Sequence, residues 1–203
     1  MFLNTVKKLG FTMIELLIVI AVLGILAVAV LSAINPIEQI NRGKDTGSRS
    51  DAEQLVSAID RFYAAKSHYP WQIDADSLNK ATTGMVELDT DAVVVGADAT
   101  PMLTNLTTGG TAEIKASFVT RITSSTYRKL SIFNDGVDGS STYVCYLPQS
   151  NSFKDEAWKR YRKVSDGSAI TMPSDFPPEA HPATDCTDAT TAEDATACMI
   201  CLP

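Results

Sequence analysis

The chain has 203 residues, a formal net charge of −7 and two histidines. An acidic surface of this kind argues against broad affinity for nucleic acid or anionic lipid. No Gly-rich phosphate loop is present, and neither His68 nor His181 sits in a recognisable nucleophile or metal motif. Catalysis therefore finds little support, and no cofactor is expected.

The first predicted element is an apolar run over residues 11–34, broken only by Glu15 as a strongly polar side chain, with Thr12 and Ser32 as mild exceptions. As a helix it reaches roughly 36 Å at about 1.5 Å per residue, enough for a hydrocarbon core of about 30 Å. Lys7 and Lys8 precede it. The positive-inside bias then puts the N-terminus in the cytoplasm and everything after Asn35 outside. Glu15 is the anomaly, because an ionisable residue in such a segment is costly in lipid and is a functional hypothesis by default.

The next element is a helix over residues 35–69. Asn35-Pro36-Ile37-Glu38 reads as its start: Asn is a good N-cap, Pro suits the first helical position, and Glu follows three residues after the cap. The alternative is a single long helix kinked at Pro36. Ala52, Leu55, Val56, Ile59, Phe62 and Tyr63 then recur at three- and four-residue spacing, an amphipathic stripe that needs a partner surface. Asp51, Glu53, Asp60, Arg61 and Lys66 are expected on the other face. The helix should end near Ser67 or His68, ahead of Pro70.

Residues 70–171 read as a β-rich head. Val93-Val94-Val95 is a brief β-like run, and residues 113–120 alternate around Ile114, Ala116 and Phe118. Residues 130–133 and 143–147 flank Asn134-Asp135-Gly136-Val137-Asp138-Gly139, a strong turn signal between two strands. The sheet core is expected at Phe118, Ile122, Leu130, Ile132, Val144 and Tyr146, with its inner face on the helical stripe. The fold class is thus α+β, a long N-terminal helix packed on a small antiparallel sheet. Residues 172–203 form an acidic, Pro-, Thr- and Ala-rich C-terminal segment with cysteines, and residues 172–197 are expected as an extended surface tail.

Three features could carry chemistry. Cys145, Cys186, Cys198 and Cys201 all lie on the exported side, where disulfides persist; four cysteines allow three full pairings. Cys198-x-x-Cys201 also reads as half a zinc site or a redox pair. Asn134, Asp135 and Asp138 could offer oxygen ligands to calcium, although hairpin turns demand the same residues. Phe153-Lys154 and Trp158-Lys159-Arg160-Tyr161-Arg162-Lys163 interleave cations with aromatics, which can grip single-stranded DNA. The plainer reading turns Phe153, Trp158 and Tyr161 toward the head and the cations toward water.

A secretory signal peptide and a plain signal anchor both leave Glu15 unexplained, and the apolar run is longer than a signal peptide's. KKLGFTMIELLIVIAVLGILAVAVL, by contrast, closely resembles the processing and methylation segment of type IV pilins and type II secretion pseudopilins. The resemblance implies a leader of residues 1–10, cut by a prepilin peptidase between Gly10 and Phe11 and leaving a mature charge of −9 once the two leader lysines are gone. It implies N-methylation of Phe11 and places Glu15 at the family's characteristic glutamate. The cationic amino group made by cleavage gives that carboxylate a partner on a neighbouring copy, since two buried charges are tolerable as a pair.

Many family members carry proline at the position of Ser32, whereas this chain has Pro36. Tyr69-Pro70-Trp71 resembles the end of the long helix in pilins and major pseudopilins. A cysteine pair closing the C-terminal segment would resemble the disulfide-closed loop of many type IV pilins, and calcium at Asp135 and Asp138 would resemble the major pseudopilins. The implied role is the structural subunit of a pilus-like filament serving adhesion, motility or DNA uptake. Its partners would be other copies of itself, the prepilin peptidase and an inner-membrane assembly machinery, with the membrane as the precursor's location. A pseudopilin of a type II secretion or competence system is the alternative within the family. A membrane-anchored extracytoplasmic binding module is the alternative from another class.

Overall fold

The structure is a computed structural model that describes residues 10–33, 35–76, 80–82, 84–88, 101–108, 112–127, 129–162, 168–181 and 197–203. Two compact units divide between Gln39 and Ile40. In the first, helix α1 spans Met13–Ala33. The following helix, α2, spans Pro36–Lys66 and runs across the boundary. Asn35 Oδ1 accepts the backbone N–H of Glu38 at 3.3 Å. Asn35 is therefore an N-cap and Pro36 the first helical residue, which decides between a new start and a kink.

The second unit, residues 40–203, is the head. Strands β1 (Val86–Glu87), β2 (Leu130–Phe133), β3 (Tyr143–Tyr146) and β4 (Ile200–Leu202) form one antiparallel sheet in that order. Short helices α3 (Met102–Thr107) and α4 (Ala116–Ile122) precede β2, and α5 (Asn151–Tyr161) follows β3. Alternation along β2 and β3 sends Leu130, Ile132, Val144 and Tyr146 into the main core, where they meet Leu55, Ile59 and Phe62 of α2. All six core residues expected from the sequence are buried. The opposite face carries a second apolar cluster of Tyr143, Cys145, Ala180 and Cys201, with Phe176 and Met199 against it.

Several expectations change. Residues 113–120 do not make a strand. Phe118, Val119 and Ile122 are the buried positions, a helical spacing, and they form α4. The alternation of Ile114, Ala116 and Phe118 fits either period over so short a run, and Ile122 settles it. Asp51 is buried on the inner face of α2, because Arg121 and Tyr127 reach it there. Tyr63, placed in the stripe, is 41% exposed. The C-terminal segment is more than a surface tail: Pro177 and Ala180 are buried, and Phe176 packs on Tyr143 and Tyr161. α3, β1 and β4 were not foreseen. Val93-Val94-Val95 lies outside the described residues.

α2 stops at Lys66 because Ser67 takes φ = 61°, a left-handed conformation that ends the helical ladder. At the turn between β2 and β3, Gly136 is required twice. Its φ is +79°, and a Cβ there would come within 2.6 Å of the Ala81 backbone nitrogen.

Candidate assembly site

In the N-terminal unit, every described side chain from residue 11 to residue 32 is exposed. Over Met13–Ser32, α1 is long and apolar enough to cross a membrane. Burying one large apolar side chain is worth about 1.5–3 kcal/mol, so this stripe-free apolar surface demands lipid or neighbouring helices.

Glu15 is positioned from within its own turn. Its Oε2 accepts the Thr12 backbone N–H at 2.9 Å and the Thr12 hydroxyl at 2.7 Å, while Glu15 N–H donates back to Thr12 Oγ1 at 3.3 Å. This reciprocal capping box aims the carboxylate back along the helix toward its N-terminal end and Phe11, which is 82% exposed. Sequence reading missed Thr12. Its signal was present as Thr12-Met13-Ile14-Glu15, the capping-box spacing ahead of an apolar run.

In the head, Cys145 and Cys201 are joined by a disulfide across directly opposed positions of β3 and β4. Cys198 is also disulfide-bonded, and Cys186 lies outside the described residues. The sulfur of Cys201 is thus committed to Cys145, not to Cys198 as a vicinal redox pair would need.

The turn after β2 is held by its own polar groups and by Lys80. Asn134 Oδ1 accepts Gly136 N–H at 2.8 Å, Asn134 Nδ2 donates to Thr142 Oγ1 at 2.9 Å, and Asp135 Oδ1 accepts Val137 N–H at 2.9 Å. Asp138 pairs with Lys80. These bonds are those of a hairpin turn.

The cation–aromatic segment is helix α5. Tyr161 is buried and its hydroxyl, pushed upward in pKa by burial, donates to Met199 O at 2.5 Å. The guanidinium of Arg49 lies 4.9 Å from the centre of the Phe153 ring. Lys159 pairs with Asp155, and Arg160 bonds Glu156 at 2.8 Å and Cys201 O at 3.3 Å. Phe153, Tyr161, Lys159 and Arg160 are engaged by the head itself, and Arg162 lies over the Trp158 ring at 6.0 Å; Lys163 lies outside the described residues. His68 hydrogen-bonds Tyr69 O at 3.0 Å, and His181 stacks on Tyr161 at 5.2 Å, both as packing residues.

Three polar residues that join α2 to the head were also missed. The buried carboxylate of Asp45 accepts from Gln149 N–H at 2.9 Å, Ser150 N–H at 2.7 Å and Ser150 Oγ at 2.6 Å. It thereby anchors the cap of α5. Arg49 pairs with Glu156, and Asp51 takes Arg121 Nη2 at 2.8 Å together with Tyr127. With Ser48, these residues continue the apolar stripe of α2 toward its N-terminus at the same spacing, but in polar form.

A family model for the prokaryotic N-terminal methylation motif matches residues 6–31. Over 168 residues, 83% of this chain and 91% of the other, the chain is 28% identical to the type IV major pilin protein PilE of Neisseria gonorrhoeae. No solved structure matches it. The methylation segment, the similarity to a type IV major pilin along most of the chain and the helix-on-sheet layout together support the type IV pilin and type II secretion pseudopilin family, a family of structural subunits and not of enzymes.

Proposed function

We propose that the chain is the structural subunit of a type IV pilus-like filament. A prepilin peptidase removes residues 1–10 and leaves Phe11 as a methylated N-terminus. The precursor waits in the inner membrane with its head outside, and α1 is the polymerisation helix that assembly machinery transfers to an extracellular filament. In the filament, Glu15 of one copy faces the cationic amino group of Phe11 on a neighbour. The observation that carries this reading is a carboxylate one turn from Phe11, on a helix with no other charge and no apolar contact of its own. Pairing is what makes such a carboxylate tolerable away from water. The pilin relative and the disulfide that closes the C-terminal strand favour a pilin over a pseudopilin.

The test is electron microscopy of sheared surface material, with mass spectrometry of the subunit. Long filaments whose subunit begins at methylated Phe11 are expected. An unprocessed subunit, or a processed one that leaves no filaments, contradicts the proposal.

A further inference from the structure

Among the described residues of the head, four large apolar side chains are exposed, and they lie at two places. Ile40 stands at the start of α2 in this unit. Tyr63, Ile73 and Val137 are 41%, 63% and 64% exposed, and all three lie at the end where α2 stops. A chain of contacts runs from Tyr63 to the neighbour of Val137, and Ile73 follows one of its members, Trp71, by two residues. Tyr63 packs on Tyr69 at 4.7 Å, Tyr69 stacks on Trp71 at 4.6 Å, and the Trp71 indole donates to Lys80 O at 2.9 Å. Lys80 then pairs with Asp138, beside Val137. Clustered exposed apolar groups with a polar rim mark an interaction surface. The rim is predominantly acidic: Asp60, Asp74, Asp76 and Asp138 are exposed around it, against an exposed Lys66 and the Lys80 that pairs with Asp138.

The surroundings of Ile40 are the complement. Arg42 and Lys44 are exposed beside it on α2. Gly43 and Gly47 have open space where a Cβ would stand, so a partner can approach the backbone closely.

We propose that the acidic, apolar end of one head docks on the basic, apolar start of α2 in a second copy of this chain. The contact pairs Tyr63, Ile73 and Val137 with Ile40, and Asp74 and Asp76 with Arg42 and Lys44. Ile40 and Tyr63 are 23 positions apart on one helix, which is about 35 Å at ~1.5 Å per residue. The two copies are therefore displaced along α2 by about 35 Å. This inference rests on the filament reading above and adds a contact between heads to the one made through α1.

The experiment uses the full-length chain in filament-forming cells. In the first arm, p-benzoylphenylalanine is placed at position 137 and filaments are irradiated. In the second, Ile73→Asp and Val137→Asp are combined and sheared filament yield is measured, with the head's melting temperature as a control. Both positions are exposed, so the melting temperature should not move. A cross-link from position 137 to residues 40–44 of another copy, and at least a tenfold loss of filaments in the double variant, are expected. Wild-type filament yield in the double variant, or a cross-link to any other surface, overturns the proposal while leaving the filament reading intact. Absence of filaments from the unaltered chain instead rejects the filament reading and this inference with it.

Discussion

Helices α1 and α2 both carry carboxylates among apolar residues, but the carboxylates are treated in opposite ways. In α2, Asp45 and Asp51 are 1% and 3% exposed, and each is met by donors from distant parts of the head. In α1, Glu15 is fully exposed and bonded only to Thr12, three residues away. The acids of α2 are completed within one chain, whereas the acid of α1 has a holding contact and spare capacity as an acceptor. A completed carboxylate contributes to folding; an uncompleted one, on a surface too apolar for water, points to assembly.

The largest effect should come from the uncompleted acid. Glu15→Ala is expected to leave membrane insertion and the head's melting curve unchanged while filament yield falls by a hundredfold or more, since an unpaired buried charge costs about 3–5 kcal/mol. Quantitative immunoblotting of sheared and membrane fractions separates the two readouts. Filaments at normal yield would remove the contrast between the helices.

Next is the disulfide. It closes a sequence separation of 56 residues and holds β4 on the sheet. Replacing Cys145 and Cys201 by serine should cost about 2–5 kcal/mol of head stability. Denaturant melts of the two-site variant check this, and a change below 1 kcal/mol would mean that β4 is held by packing alone.

The completed acids should show smaller effects. Asp45→Ala strands two buried donors of Ser150 and the part-buried N–H of Gln149 at the cap of α5, for about 2–4 kcal/mol. Its melting temperature should drop by roughly 5–10 °C, with α1 unaffected in membrane insertion. The smallest effect is a pH dependence. Burial pushes the Glu156 carboxyl up, but hydrogen bonds from Arg160 and Arg49 outweigh it and hold it below its ordinary 4.5. A lowered folded-state pKa gives stability that is present above the unfolded value and lost as pH falls through the folded one. The pair is partly exposed, so the gain is at most about 1 kcal/mol. The melting difference between wild type and Glu156→Gln should be visible at pH 6 and shrink steadily as pH falls below the carboxyl's ordinary 4.5. A difference that does not change with pH would assign it to packing.

These two kinds of acid also mark what was legible in the sequence. α1, the apolar half of the α2 stripe and the β2–β3 pair were readable, because each is a long or clean pattern of apolar residues with a turn or cap signal at its ends. Phe118 and Ile122 were correctly placed in the core but on the wrong element, since five residues of alternation do not distinguish a strand from a short helix. Asp51 was placed in solvent because its partners, Arg121 and Tyr127, are 70 and 76 residues away. Burial of a charge depends on such distant donors, which a local period does not register. β4 is three residues long and exists through its pairing with β3 and the disulfide. Of the proposed assembly site, Gly10, Phe11 and Glu15 stood out through the local motif, and Thr12 was equally local but overlooked.

The central claim is that Glu15 is completed by the amino terminus of another copy. A high-resolution electron-microscopy map of the filament measures this directly. The account predicts the Glu15 carboxylate within about 4 Å of a neighbour's Phe11 nitrogen, the ordinary distance of an ion pair. A filament in which Glu15 bonds only Thr12 of its own chain, with every neighbouring amino group more than about 8 Å away and hence beyond ion-pair contact, would contradict it.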